Sequence, residues 1–191
     1  MPACAAMTFD DDEPLRPKPV TINSLISGFV PVLRGAVGSS IELKVDLAPS
    51  LDCSGVDATQ FKAALLNLVV NGREAMRSED AGEMIVSTGL VDIDDINVSP
   101  RLAPGPYAGV TVSDSGCGIE PDALEHVFEP FFTGKQIGEG RGLGLSQVYG
   151  FATQSGGGVG IVTAVGKGTS VTIYLPLTAP GTEFEDGGDG R

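Results

Sequence analysis

The chain has no tryptophan, one histidine and three cysteines among its 191 residues. Cys4, Cys53 and Cys117 are odd in number and their spacings match no zinc motif, so a reducing compartment is expected. No apolar run reaches the length of a membrane span, and no basic segment with a following apolar run marks a signal peptide. These absences predict a soluble, cytoplasmic chain.

Basic residues are also scarce, because 12 lysines and arginines stand against 25 acids and give a net charge of −13. Such a chain repels nucleic acid and anionic lipid, so neither nucleic acid nor a membrane is an expected partner. A small anion remains a possible ligand if a metal ion accompanies it.

The two ends of the chain differ in composition from its middle. Acids and prolines cluster before residue 20, and acids and glycines follow residue 177. We therefore expect a flexible N-terminal segment at 1–19, one domain at 20–177 and a disordered acidic tail at 178–191.

Hydrophobic periodicity predicts an alternation of helices and strands. Helical spacing covers Thr21–Val37, with Pro31 as a candidate kink, and Asp57–Arg77, with Asp57 as a capping residue. The remaining expected elements are strands at Ile41–Leu47, Met84–Val91, Tyr107–Ser113, Val159–Ala164 and Ser170–Leu175, and helices at Pro121–Val127 and Leu143–Gln154, with loops at Pro49–Gly55 and Asp92–Pro106. The pattern predicts an α/β two-layer sandwich, with a mixed sheet and helices on one face.

The helix DATQFKAALLNLVVNGREAMR carries two asparagines one turn apart. On a helical wheel, Gln60, Asn67, Asn71 and Glu74 share one stripe about 60° wide beside the apolar face. An amide oxygen is a hard, neutral ligand for Mg²⁺. The alternative is a solvated polar face. Arg73 points about 160° away from Asn71 and is expected to make a surface or partner contact.

The run SDSGCGI follows an apolar strand. Gly116 and Gly118 allow the backbone to approach a flat ligand, and the carboxylate of Asp114 accepts hydrogen bonds without donating any. Asp114 therefore suits the amino group of adenine and not the carbonyl of guanine. A plain turn is the alternative, and Cys117 is expected to be a small filler.

The run FEPFFTGK, residues 128–135, leads into the polar, glycine-rich segment Thr133–Arg141, which we expect to form a mobile lid. Phe128 suits the core, whereas Phe131 and Phe132 suit either a hinge or a partner contact. Lys135 is either a γ-phosphate ligand or a solvated lysine.

Gly140, Gly142 and Gly144 come at the start of a helix, where free N–H groups and the helix dipole favour phosphate. Neither a Walker A motif nor G-x-G-x-x-G is present, which disfavours P-loop and dinucleotide-binding folds.

The order of these motifs resembles the catalytic, ATP-binding domain of sensor histidine kinases in the GHKL ATPase superfamily, over about residues 20–177. The runs GLGLSQVYGFATQSGG and GKGTSVTIYLP resemble the nitrogen-regulation and hybrid kinase branch. The resemblance implies a mixed sheet of about five strands under about three helices. It also implies ATP and Mg²⁺ as ligands.

The resemblance assigns roles residue by residue. It implies that Asn71 binds Mg²⁺ with Asn67 beside it, that Asp114 binds adenine N6 and that Thr169 supports the base. Asn67, Asn71 and Lys135 are the implied catalytic residues. The implied ATP-binding set is Asn67, Asn71, Glu74, Asp114, Gly116, Gly118, Ile119, Phe132, Lys135, Gly140, Gly142, Leu143, Gly144, Leu145 and Thr169.

Three residues depart from the pattern of that family. Glu74 stands where a basic residue is common, Gly134 where a second threonine is common, and Gly72 where alanine is usual. Glycine at this helix position costs about 1 kcal/mol.

A phosphoacceptor histidine is also missing, since His126 is expected to be an exposed helix residue. The chain is therefore expected to be an excised catalytic domain. Its expected partners are the dimerisation hairpin of its parent protein and a response regulator receiver domain.

Two alternatives remain open at this stage. One is a serine kinase of the anti-sigma-factor type, which should lack the FEPFF box. The other is a nucleotide-binding regulatory or scaffold module without transfer activity, which Glu74 and Gly134 leave open.

Overall fold

A five-stranded mixed sheet underlies the site. The computed structural model describes residues 18–48, 54–77, 81–93, 98–129 and 144–177. Its elements are β1 (Lys18–Val20), α1 (Ile22–Val37), β2 (Ile41–Leu47), β3 (Ser54–Val56), α2 (Ala58–Ala75), β4 (Gly82–Ile93), β5 (Gly105–Asp114), α3 (Pro121–Leu124), α4 (Gly144–Gln154), β6 (Gly158–Ala164) and β7 (Gly168–Pro176).

The strand order is β2-β4-β5-β7-β6, with β2 and β4 parallel and the other pairs antiparallel. The core lies between one face of this sheet and α1, α2 and α4, whose buried residues form one cluster with those of the strands. The predicted α/β sandwich with a mixed sheet and about three covering helices is therefore confirmed.

Strand register arranges the helix-facing side chains in rows across the sheet, because successive side chains of a strand alternate between faces. Two inner rows supply core residues: Val45, Val86, Val112, Val171 and Ile161 form one, and Thr88, Val110, Ile173 and Val159 the other. The next row towards one end of the sheet runs Met84, Asp114, Thr169 and Thr163. On β5, β7 and β6 the hydrophobic sheet thus ends in a polar row, formed by Asp114, Thr169 and Thr163, beneath the helices.

Helix α2 begins where the sequence predicts. Asp57 has an extended backbone and its Oδ1 accepts hydrogen bonds from the N–H groups of Thr59 and Gln60. These bonds satisfy donors that the first turn leaves unpaired. The helix ends at Ala75, two residues before the predicted end at Arg77.

Helix α1 continues without a break through Pro31 from Ile22 to Val37. The apolar stripe of α1 lies on the core side, because its buried residues are Ile22, Ile26, Leu33 and Val37. Gly38 ends the helix with φ +87°, and its N–H bonds the carbonyl of Arg34.

A small two-stranded sheet corrects the predicted N-terminal boundary. β1 pairs antiparallel with β3, so Lys18 and Pro19 belong to the folded domain and not to a flexible segment. Ser54 and Gly55 likewise belong to a strand and not to the predicted loop. Runs of three residues are too short to show strand alternation, which explains why the sequence does not reveal them.

Other boundaries also shift. β4 and β5 each extend beyond the predicted limits and pair continuously from Met84 opposite Asp114 to Ile93 opposite Gly105. α3 ends at Leu124, and a turn replaces the rest of the predicted helix to Val127.

The sheet face away from the helices is largely polar. Hydroxyl pairs join Thr111 to Thr172 and Ser113 to Ser170, each at 2.8 Å. A small apolar cluster on this face consists of Ile93, Val98 and Tyr174, with Val91, Leu102 and Tyr107 packed against it. None of the helices in the described ranges is long and apolar enough to cross a membrane.

Candidate functional site

The asparagine stripe of α2 packs against the first turns of α4. The Nδ2 of Asn67 donates to Oε1 of Gln147 at 2.9 Å. A Cβ placed on Gly144 would lie 2.8 Å from both amide heteroatoms of Asn71, closer than side chains pack. Both asparagines are half-buried, so the stripe is a helix contact and not an open solvated face.

The N-terminus of α4 lies at this contact. The first N–H groups of a helix have no intrahelical partner and carry partial positive charge. Glycine at position 144 brings the backbone of that end against the Asn71 amide. A neutral amide and a helix N-terminus thus face the same space, an arrangement suited to an anion with a bound cation.

Asp114 lies at the end of β5, where α2 passes close to the sheet. A Cβ on Gly72 would lie 3.2 Å from Cβ of Asp114, 3.4 Å from its Oδ2 and 2.8 Å from Cε of Met84. Gly72 directly follows Asn71. Consecutive residues of one helix therefore contact the start of α4 and the carboxylate of Asp114, which brings the two halves of the site together.

The turn after Asp114 depends on its glycines. The Oδ1 of Asp114 accepts the N–H of Gly116 at 2.9 Å. A Cβ on Gly116 would lie 2.7 Å from the carbonyl of Ala75, and Gly118 has φ +73° beside the backbone of Ala164. These close approaches explain why the turn has glycines at both positions.

Hydroxyl groups lie next to Asp114 in the polar row. Thr169, directly across from Asp114, is 7% exposed and is the one buried polar side chain among the described residues. Its hydroxyl lies 3.0 Å from that of Thr163, and Thr163 Oγ1 accepts the N–H of Ile119 at 2.9 Å. The turn and the β6–β7 hairpin are therefore joined beneath the site.

The other expected site residues divide between the described ranges and the rest of the chain. Glu74, Ile119 and Leu145 are half-buried near this region. Phe132, Lys135, Gly140, Gly142 and Leu143 lie outside the described residues, as do Phe131 and Gly134.

Arg73 and Cys117 contribute little to the site itself. Arg73 is exposed and donates to the carbonyl of Ala36 at 2.8 Å, so it joins α2 to the end of α1. Cys117 is a free, exposed thiol in the turn after Asp114.

His126 is exposed, as expected, but it lies in the turn after α3 and not in a helix. Its Nδ1 lies 2.8 Å from Oε1 of Glu129. That hydrogen bond, the main cause, raises the pKa of His126 above its usual value, and the charges of Glu129 and Glu125 add to the effect.

Lys44 lies on the opposite face of the sheet, between Glu83 and Glu42. Its hydrogen bond to Glu83 raises the pKa of Lys44 more than burial lowers it.

Gln147, Thr163 and Gly72 contact the site but were not predicted to do so. Gln147 and Thr163 meet site residues 80 and 6 positions away in the chain, and only strand register and helix packing bring them together. Of these three contacts, only Gly72 has a signal in the sequence, because it stands where alanine is usual in the family that the chain resembles.

The donors present fit a nucleotide-bound cation better than a protein-held one. Within the described ranges, no group of three or more His, Cys, Asp or Glu side chains could hold a metal ion. A cation beside Asn71 would therefore take most of its oxygen ligands from phosphates and water, as Mg²⁺ does in nucleotide sites.

Comparisons with known proteins identify the family of the chain. The family described as "Histidine kinase-, DNA gyrase B-, and HSP90-like ATPase" matches residues 56–179. The sensor kinase CckA of Brucella abortus is 38% identical over 172 residues, covering 89% of this chain and 18% of that protein. The histidine kinase/phosphatase NtrB of Vibrio alginolyticus is 32% identical over 139 residues, covering 72% of this chain and 38% of that protein.

The fold is also shared with a solved structure. The mycobacterial sensor histidine kinase MprB matches with a TM-score of 0.63 and 28% identity, covering 84% of this chain and 97% of that one. The predicted resemblance to sensor histidine kinases is confirmed by these relatives, and the match to NtrB fits the nitrogen-regulation branch. The hybrid kinase part of the resemblance stays a prediction. The chain belongs to the family of histidine kinase-, DNA gyrase B- and HSP90-like ATPases.

Proposed function

We propose that this chain is the ATP-binding catalytic domain of a two-component sensor histidine kinase. It binds Mg·ATP and transfers the γ-phosphoryl group to a histidine on a separate dimerisation hairpin. The observation that carries the proposal is the junction at Asn71 and Gly72, where one helix contacts both the start of α4 and the carboxylate of Asp114.

The asparagine end of the site suits the triphosphate. Asn71 presents a neutral amide beside the N-terminus of α4, so Asn71 would hold the Mg²⁺ and the α4 backbone the phosphate oxygens. When bound, Mg²⁺ supplies charge neutralisation of the phosphates. Gln147 fixes the amide of Asn67 beside them.

The Asp114 end of the site suits the base. An ionised carboxylate only accepts hydrogen bonds, so it favours the adenine amino group over the guanine carbonyl. One oxygen of Asp114 is committed to the N–H of Gly116, which fixes the orientation of the carboxylate.

The proposed reaction breaks the bond between the γ-phosphorus and the β–γ bridging oxygen, which leaves as part of ADP. A bond forms from that phosphorus to the unprotonated imidazole nitrogen, and the proton on the other ring nitrogen is lost to water. Imidazole is itself the nucleophile, and Asn67 is an amide and a poor base, so little hydrolysis by water is expected. Lys135, outside the described residues, is proposed to lie near the γ-phosphate.

The acceptor histidine is proposed to belong to another domain of the parent protein. His126 is hydrogen-bonded to Glu129 in the turn after α3, a role that accounts for it without phosphorylation. CckA and NtrB are sensor kinases, and this chain spans 18% and 38% of their lengths. A response regulator receiver domain is accordingly the proposed next partner, and the cytoplasm the proposed location.

The test mixes the full chain with the dimerisation hairpin of its parent protein and ATP labelled at the γ-phosphate. The expected result is acid-labile, base-stable label on the hairpin that requires Mg²⁺ and is lost with Asn71→Ala. Label that fails to appear, while Mg·ATP still binds, would instead support the nucleotide-binding module without transfer activity.

A further inference from the structure

The hydroxyl of Thr163 lies at the centre of a hydrogen-bond network beneath the base-reading end of the site. Thr163 is on β6, in the same cross-sheet row as Thr169 and Asp114. Its Oγ1 accepts the N–H of Ile119 at 2.9 Å, lies 3.1 Å from the carbonyl of Gly168 and lies 3.0 Å from Thr169 Oγ1.

Proton counting assigns a direction to each of these bonds. A threonine hydroxyl has one proton and two acceptor lone pairs. The N–H of Ile119 can only donate and the carbonyl of Gly168 can only accept. The Thr163 hydroxyl therefore donates its hydrogen bond to the carbonyl of Gly168. Thr169 must then donate its own proton to Thr163 for all three bonds to form.

The consequence falls on Thr169. With its proton directed at Thr163, its hydroxyl can only accept any further hydrogen bond. Asp114, its cross-strand neighbour, also only accepts when ionised. Two adjacent groups that can only accept hydrogen bonds match an amino group, whereas a carbonyl oxygen would need a donor from them.

We propose that Thr163 is a positioning residue for base selection. By accepting the hydrogen bond of the Thr169 hydroxyl, it leaves that hydroxyl able only to accept a hydrogen bond from the base. The amino group at C6 of the purine is then bound, directly or through one water, and a 6-oxo purine is disfavoured. This inference rests on the proposed function, because it assigns the specificity of that same nucleotide site.

A purely structural role for Thr163 is distinct and testable. Thr163 also holds the Asp114–Ile119 turn through the amide of Ile119, and a second bond joins Gly166 N–H to the carbonyl of Cys117. Loosening this turn would weaken every nucleotide alike. Loss of the hydrogen bond from Thr169 to Thr163 would instead change only the ratio of affinities for nucleotides that differ at C6.

The experiment measures binding of Mg·ATP, Mg·GTP and the Mg complex of purine riboside triphosphate, which has hydrogen at C6, to the full chain by calorimetry. Thr163→Val keeps the shape and removes the hydroxyl, while Thr163→Ser keeps the hydroxyl. In Thr163→Val, the preference for ATP over the analogue lacking the amino group should fall by about fivefold, the effect of one hydrogen bond. Thr163→Ser should keep the wild-type preference.

An unchanged preference in Thr163→Val, or an equal loss in Thr163→Ser, overturns the inference while leaving the proposed function intact. Failure of the wild-type chain to bind Mg·ATP overturns the proposed function and the inference with it. If Thr163→Val does not fold, Thr163→Cys replaces it with the same expectation, because a thiol is a weak donor and acceptor.

Discussion

Gly72 is the residue on which the closeness of α2 to the sheet depends. An alanine there would restore about 1 kcal/mol of helix propensity. Its methyl group would, however, meet Met84 Cε at 2.8 Å and Asp114 Cβ at 3.2 Å. The end of the Met84 side chain can move readily, whereas Asp114 is held by its strand. The added methyl group would therefore displace the carboxylate of Asp114 from its position in the site.

We therefore predict that Gly72→Ala stabilises the chain by less than about 1 kcal/mol and weakens Mg·ATP binding. Gly35→Ala is the matched control, because Gly35 is in α1 and a Cβ there meets nothing within 4 Å. Gly35→Ala should give the full gain of about 1 kcal/mol with unchanged binding. Chemical denaturation and calorimetry measure the two quantities, and equal effects of both variants would contradict the account.

Gln147 acts at the same scale, through its hydrogen bond from Asn67. Gln147→Leu removes the acceptor and should weaken Mg·ATP binding by about twofold to tenfold. In an Asn67→Ala background the same substitution should have no further effect. Gln154→Leu, on the exposed end of the same helix, is the control and should leave binding unchanged. Additive effects of Asn67→Ala and Gln147→Leu would show that Gln147 does not act through Asn67.

At the scale of elements, the two long N-terminal helices begin differently. Asp57 caps α2 with two side-chain hydrogen bonds, whereas Thr21, at the same position of α1, makes no side-chain cap. Helix α2 carries both asparagines, so its start matters for the site.

Asp57→Ala should therefore destabilise the chain by about 1 kcal/mol, within the usual range for a lost cap. Thr21→Ala should cost much less, since no capping bond is lost. Urea denaturation of both variants decides the point, and an equal cost would mean that the Asp57 bonds do not stabilise α2.

The turn after α3 contains the hydrogen bond between His126 and Glu129, which affects the titration of the imidazole. Bonding to Glu129 raises the folded-state pKa of His126 above the unfolded value of about 6.5. A raised pKa means that the protonated pair stabilises the fold fully below the unfolded pKa, and this contribution is lost as pH rises through the folded pKa.

His126 is the only histidine, so its titration can be followed by NMR without assignment ambiguity. We predict a pKa above 6.5 in the wild-type chain and a fall towards that value in Glu129→Gln. The control is Asp122→Asn, because Asp122 is an exposed acid of α3 that does not contribute to the raised pKa of His126. A pKa that stays the same in Glu129→Gln would show that the hydrogen bond is absent in solution.

At the scale of the whole molecule, the sequence predicts what depends on periodicity and local chemistry. The alternation in β2, the apolar stripe of α1 and the cap at Asp57 are each readable within a few residues. The asparagine stripe and the end-of-strand aspartate are likewise local patterns.

What the sequence does not predict depends on which segments meet. The β1–β3 pairing joins short runs far apart in the chain, and the bond between Asn67 and Gln147 spans 80 residues. In the sequence Thr163 is an ordinary strand residue, and only the strand register shows that it shares a row with Asp114 and Thr169. Tertiary packing, and not local preference, creates these contacts.

We infer that one nucleotide spans the site from its asparagine end to Asp114. This is tested by calorimetric titration of the full chain and of the Asp114→Asn variant with Mg·ATP, with Asp46→Asn on the exposed side of β2 as control. We expect saturable binding by the wild-type and control chains and an affinity at least about tenfold lower for Asp114→Asn, the usual effect of losing a hydrogen bond to a charged group. No binding by the wild-type chain, or equal affinity in Asp114→Asn, would contradict it.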